Sequence, residues 1–257
     1  MADGSIREAI PESVREQIKA HIRQASVRAE GGWQSGPRSE DVLTGDMCGS
    51  MRTDWTAPRE EHGYVWRWRV VYRAFGSGNQ HSSEERPTGA DGIFQIEVDR
   101  TRIEVTPVGN VAQVENVEVE GQFKKGILFQ SKRHDSKEGK QALVSELKRI
   151  ESLTPQSGAY FEYGPDGYRA AKACDVLDHE GRSKALDERS FPRVGDFLSN
   201  LFLECKVGVE GMYADLETQS LVFPTQTPEI EELSRQLRHA ISVQVRAFTM
   251  SRFRGVG

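Results

Sequence analysis

The sequence predicts an α/β or α+β protein with a mixed sheet at its centre, and three observations predict it. Residues 6–28 carry Ile6, Ile10, Val14, Ile18 and Ile22 at intervals of four, the stripe of an amphipathic helix. Residues 63–131 hold a run of alternating or continuous apolar segments, the pattern of strands. After residue 137, helical and strand patterns succeed one another, as they do where helices pack on a sheet.

The first helix is expected to begin near Pro11 to Ser13, since proline suits the first helical position. Glu30 to Arg38 (EGGWQSGPR) reads as a Gly/Pro break. Ser39 then serves as an N-cap, with Glu40 and Asp41 in the first turn, where the helix dipole favours acids. That second helix carries Val42, Leu43, Met47 and Met51; Gly45 and Gly49 weaken it and leave room for another backbone. Gly63 to Phe75 is a long alternating strand, with Tyr64, Trp66, Trp68, Val70 and Tyr72 on one face and Arg67, Arg69 and Arg73 on the other. Gly76 to Thr88 is a polar turn region. Ile93 to Val98, Ile103 to Val108 and Val111 to Val119 read as short strands, and Gly126 to Ser131 (GILFQS) as a central one. A helix over 137–153 places Leu143, Leu147, Ile150 and Leu153 on one side and ends at Thr154-Pro155. Ala159 to Tyr163 reads as a strand; Phe191 to Phe202 and Glu229 to Phe248 read as helices.

Composition narrows the function classes. A chain of 257 residues suits one sizeable domain with helical appendages, and 37% apolar residues suffice for its core. No apolar run approaches the ~18 residues of a membrane-spanning helix, and the first ten residues carry no secretory pattern. Cys48, Cys174 and Cys205 lie far apart, with no CxxC pair, and the histidines show no HxxxH spacing. A disulfide framework and a structural zinc are both disfavoured, and a cytoplasmic location is expected. The net charge of −5 means that nucleic-acid binding needs a local basic patch. Residues 124–149 supply one, with eight Lys/Arg against three acids. A solvated helix face is the ordinary alternative.

One arrangement carries chemistry. Asp91 follows the tight turn Thr88-Gly89-Ala90, and a short apolar strand later ends in Gln130-Ser131-Lys132. Residues two apart on a strand share a face, so Gln130 and Lys132 project together and Asp91 can face them from a neighbouring strand. Metal-assisted phosphodiester hydrolysis uses such a set. A hard Mg²⁺ (or Mn²⁺) takes oxygen ligands, here the Asp91 carboxylate, the Gln130 amide oxygen, the Ser131 carbonyl and water. The Lys132 ammonium can orient the attacking water or stabilise developing negative charge. The plain alternatives are a turn acid at Asp91 and polar strand ends at Gln130 and Lys132.

These residues resemble the PD-(D/E)xK nuclease superfamily, in particular its Mrr-like branch, where Gln replaces the acid of ExK. Glu85 to Asp91 (ERPTGAD) resembles the E-x-x-x-GAD lead-in of nucleases from bacterial defence systems. Gly126 to Arg133 (GILFQSKR) resembles their QxK strand, Glu40 to Gly45 (EDVLTG) their early acidic helix, and Leu153 to Tyr163 their continuation. The resemblance covers about residues 38–215. It implies a restriction-endonuclease-like three-layer α/β/α core over 37–215, flanked by an N-terminal helical segment, 1–36, and a C-terminal helical extension, 216–257. It makes Asp91 the metal-binding acid, Gln130 the substituted second ligand and Lys132 the catalytic lysine. Glu40 is the extra carboxylate that offsets the neutral Gln, with Glu85 a second candidate for that role. Asp41 and Asp46 are weaker ones. These families often place a Gln on the helix after the lysine; here that position resembles Glu146. Lys124, Lys125, Arg133, Lys137 and Lys140 are expected on the surface facing the phosphate backbone. The implied activity is Mg²⁺- or Mn²⁺-dependent DNA cleavage by a homo-oligomeric effector of prokaryotic antiphage defence, controlled by a sensor or activator protein. The rival is a catalytically silent scaffold that binds nucleic acid or assembles with partners.

Overall fold

The computed structural model describes residues 6–34, 39–75, 89–108, 111–136, 139–224 and 237–252. The turn region 76–88, Glu85 and Lys137 lie outside them. In chain order the helices are α1 (Ile6–Ala9), α2 (Glu12–Gln34), α3 (Glu40–Ser50), α4 (Lys140–Leu153), α5 (Ala173–Asp178) and α6 (Val194–Phe197). The strands are β1 (Arg59–Glu61), β2 (Tyr64–Ala74), β3 (Gly92–Val108), β4 (Val111–Arg133), β5 (Ala159–Gly164), β6 (Gly167–Lys172), β7 (Val209–Glu210), β8 (Tyr213–Asp215), β9 (Ser220–Val222) and β10 (His239–Arg252).

The short strands expected between 93 and 131 merge into two long ones. β3 and β4 pair as one antiparallel hairpin, from Gly92 opposite Phe129 to Val108 opposite Val111. Register shifts at Arg100/Thr101 and Glu104/Val105 absorb the irregular stretches that break the alternation in sequence. The main sheet runs β1-β2-β10-β3-β4-β5-β6, with β7 added to β4. The β10–β3 and β4–β5 pairs are parallel and the others antiparallel, so the sheet is mixed, as expected.

One expectation is corrected at the C-terminus. The helix read through Phe248 is a central strand over His239–Arg252, and residues 229–236 lie outside the described set. The extension at 216–257 is therefore not helical in its described parts: it holds β9 and then β10, which lies between β2 and β3. The reason is the side-chain period. In Ile241-Ser242-Val243-Gln244-Val245-Arg246-Ala247, apolar and polar residues alternate, and Ile241, Val243, Val245 and Ala247 are all buried on one face. A helix would scatter those four residues around its axis.

Helices cover both faces. Ile18 and Ile22 of α2, and Leu43 and Met47 of α3, pack with Trp68, Val70, Phe94, Ile127 and Val243. Leu143, Leu147 and Ile150 of α4 pack on Ile93, Leu128, Tyr160 and Ala240 of the opposite face. The expected break at residues 30–38 comes late, because α2 continues through two glycines to Gln34. A Cβ at Gly32 would sit 3.2 Å from Asp46 Oδ2 of α3. Within 191–202 the α-helix is only Val194–Phe197, followed by a π turn over Leu198–Phe202. Trp66 and Trp68 are core residues, whereas Arg67, Arg69 and Arg246 gather over the Trp55 ring at 4.7–5.0 Å.

Val243 pairs with Val70 on one side and Ile96 on the other. Val243→Pro removes a ladder hydrogen bond from the middle of the sheet and is expected to lower the melting midpoint strongly. Thermal unfolding followed by circular dichroism checks this. An unchanged midpoint would contradict the central position of β10.

Candidate active site

The site is built on the turn that enters β3. Gly89 has a left-handed φ of +64°, and a Cβ there would collide with the Glu146 carbonyl, so the turn lies directly against α4. Two residues on, Asp91 is almost fully buried. Its backbone N–H donates to Phe129 O at 2.9 Å, and its carbonyl accepts from the N–H groups of Arg238 and His239 at 2.9 and 3.2 Å. Its Oδ2 accepts two hydrogen bonds from Ser131, from the backbone N at 2.8 Å and from Oγ at 2.6 Å. Burial pushes the Asp91 carboxyl above its ordinary value; the Ser131 bonds and the charges of Lys132 and His239 offset this only in part.

The β4 strand delivers the other members. Beyond its pairing with β3 it runs beside β5, so Gln130 and Lys132 lie opposite Tyr160 and Glu162 at the end of the sheet. The buried Gln130 donates from Nε2 to the Ser131 carbonyl at 3.3 Å. Lys132 is 5% exposed. Its Nζ lies 3.0 Å from Glu146 Oε2 and 3.8 Å from Glu40 Oε1. One carboxylate comes from α4 and the other from α3, on opposite layers. Glu40 is positioned by its helix cap, where Ser39 Oγ accepts from Val42 N at 3.3 Å. From the next turn of the same helix, Thr44 Oγ1 lies 3.0 Å from Ser131 Oγ.

Asp91, Gln130, Ser131, Lys132 and Glu40 thus meet at one end of the sheet. The basic residues do not all join them. Lys125 is 1% exposed and its ammonium donates to Phe202 O at 3.1 Å, which corrects the expectation that it faces phosphate. Desolvation lowers its pKa. Lys124 lies over the Tyr213 ring at 3.7 Å, about 26 Å along the strand from Lys132 at the rise of an extended chain. Arg133 pairs with Asp135 at 2.8 Å and lies over Trp33 at 5.0 Å. Lys140 is exposed at the first position of α4.

Two further groups carry weaker signals in the sequence. Glu146 stands three residues after Leu143 and four before Ile150, so helical spacing alone puts it beside the buried stripe. His239 is 4% exposed; its Nδ1 lies 3.0 Å from Tyr72 Oη and its Nε2 3.3 Å from Asp41 Oδ1. Desolvation lowers the His239 pKa against the pull of Asp41. Asp41 also accepts from Arg238 Nη1 at 2.9 Å, and although burial raises its carboxyl, the two basic neighbours bring it below the usual range. A helix over 229–248 hides this cluster.

Among the described residues, no three His, Cys, Asp or Glu side chains converge as a metal site. A hard divalent cation takes oxygen donors, of which the buried Asp91 carboxylate and the Ser131 carbonyl lie at this sheet end, while Gln130 turns its Nε2 towards that carbonyl. A cation also stabilises the ionised form that burial disfavours at Asp91. The set is poor in negative charge, since Glu40 and Glu146 both face Lys132. Comparisons of the chain with family models, with curated proteins and with solved structures find no match in any of the three.

In metal-free protein, Asp91→Asn is expected to raise stability at pH 7. A carboxyl whose folded pKa is raised costs nothing below its unfolded value, near 3.8. The cost grows as pH rises from there through the folded value and is complete above it. The stabilisation should therefore shrink towards zero as the pH falls below about 4. Denaturant melts of both proteins across pH 3–8 in EDTA check this, and a pH-independent difference would contradict the burial of an ionisable Asp91.

Proposed function

We propose that this chain is a metal-dependent nuclease of the PD-(D/E)xK type, QxK branch, hydrolysing DNA phosphodiester bonds. The observation that carries the reading is the meeting of Asp91, Gln130-Ser131-Lys132 and Glu40 at one sheet end, from three separate elements. Helices on both faces of a mixed sheet suit a restriction-endonuclease-like core.

In this reading Asp91, Gln130 and the Ser131 carbonyl hold Mg²⁺ or Mn²⁺, with Glu40 as the added carboxylate. The chemistry such an ion supplies when bound is acidification of water and neutralisation of phosphate charge. Ser131 holds the Asp91 carboxylate in place through its two donors. Lys132, held between two helices, presents its ammonium where an attacking water or the developing phosphorane charge needs it. Glu146 and Glu40 position that ammonium. A role in prokaryotic antiphage defence, as a homo-oligomer under an activator protein, rests on the sequence resemblance, and a cytoplasmic location on the scattered cysteines. The silent-scaffold reading draws on a specific observation of its own: a neutral Gln130 beside a lysine already facing two carboxylates.

The test is nicking of supercoiled plasmid with Mg²⁺, Mn²⁺ or EDTA. Metal-dependent cleavage is expected from the natural chain, with a loss of about 10²-fold or more in Lys132→Ala and in Asp91→Ala. Titration calorimetry adds a readout independent of turnover: Mn²⁺ binding should disappear in Asp91→Ala. Equal cleavage by all three proteins would overturn the assignment. DNA binding without any response to metal would favour the scaffold.

A further inference from the structure

A cavity of about 570 Å³ opens beside Lys132, and its charge is one-sided. Among the described residues, Arg133, Lys140, Arg182, Lys184 and Lys132, whose ammonium also faces Glu40 and Glu146, line it, against Glu162 as the one acid of the lining. Glu162 is already engaged: it accepts from Tyr160 Oη at 3.0 Å and Ser183 Oγ at 2.6 Å, and faces His134 Nδ1 at 3.0 Å. Arg182 pairs with Glu180, which lies outside the lining and is exposed, so that ion pair is weak and exchangeable for a phosphate. The excess is local. An adjoining cavity of about 310 Å³ shares Glu162 and Lys184 but adds Asp166, Asp187 and Glu188. On the other side a further cavity shares Lys140 and adds Lys148 together with Glu180.

The cavity's volume falls in the ~300–1,000 Å³ range of small-molecule sites, and it is open to solvent on one side. Leu143 and Tyr160, both buried, form its apolar back wall. A duplex keeps its bases paired and stacked, and presents a whole nucleotide to a concave site only by flipping it out. We propose that this cavity is a subsite for one unpaired, phosphate-bearing nucleotide of the strand that Lys132 engages. The substrate is then single-stranded at the point of cutting. The inference rests on the nuclease reading for calling that strand a substrate.

Equilibrium binding in EDTA at low salt tests it, with thymidine 5′-monophosphate, thymidine, a short oligothymidylate and a hairpin duplex as probes. The variants are Arg182→Ala/Lys184→Ala and the remote control Arg59→Ala, each checked for an unchanged melting midpoint. The monophosphate should bind at least about tenfold more tightly than thymidine, and the oligothymidylate more tightly than the hairpin. The double variant should weaken both phosphate ligands by about tenfold or more, with Arg59→Ala unchanged. Its salt slope should fall by ~0.7 for each phosphate that it no longer neutralises. Equal binding of monophosphate and thymidine, or an unaffected double variant, overturns the subsite. Binding of the free monophosphate with no preference for the single strand overturns its assignment to a strand. Because EDTA suppresses cleavage, the two readings fail separately. Intact binding with no plasmid cleavage in any metal removes the nuclease alone; metal-dependent cleavage with no nucleotide binding removes the subsite alone.

Discussion

Asp91 is the residue on which the arrangement depends, because it ties three strands together through main chain and side chain at once. Its N–H holds the edge of β4, its carbonyl receives the start of β10, and its carboxylate clamps Ser131. Glycines make this junction possible. Gly89 lets α4 lie on the turn, and at Gly92 a Cβ would come within 2.6 Å of the His239 carbonyl and 2.5 Å of the Phe129 ring. A carboxylate at such a junction loses its hydration, and hydrogen bonds recover only part of that loss. The conflict between burial and ionisation at Asp91 is the feature that gives this sheet end its chemical character.

Charge around that point is arranged in separate compartments. Lys132 faces Glu146 and Glu40, brought by helices from opposite layers, so its position reports the packing of both on the sheet. Asp41, one residue after Glu40, turns away to Arg238 and His239. A single helical step therefore divides two adjacent acids between two clusters, as the ~100° rotation per residue requires. On the far side of Lys132 the lining is basic, and the Glu162 network holds its floor. An anion approaching Lys132 meets positive charge from that side and the buried carboxylate from the other.

Much of this is legible in sequence. The four-residue spacing of Ile10 to Ile22, the Ser39 cap and the alternation of β2 name their elements directly, since each encodes its own period. The spacing of Gln130 and Lys132 puts both on one strand face, and the start of α3 brings Glu40 within 3.8 Å of the lysine. Lys125 is misleading because its charge and its basic neighbours outweigh its alternation with Ile127 and Phe129, which marks a core position. The strand at 239–252 is also written in alternation, but the helical spacing before it masks the change of period.

By itself the sequence determined the periods, the caps and the turn glycines, and with them which residues face a core. That information is local: it is carried by side-chain volume and polarity at fixed intervals along the chain. Only the tertiary structure decided that β10 enters between β2 and β3, that Glu40 and Glu146 meet Lys132 from opposite layers, and that five cations among the described residues line one cavity. Those outcomes depend on contacts between segments 14 to more than 100 residues apart, such as Lys132 with Glu146 and His239 with Asp41. Strand order and helix placement follow from the burial of whole faces, which no single stretch of chain encodes.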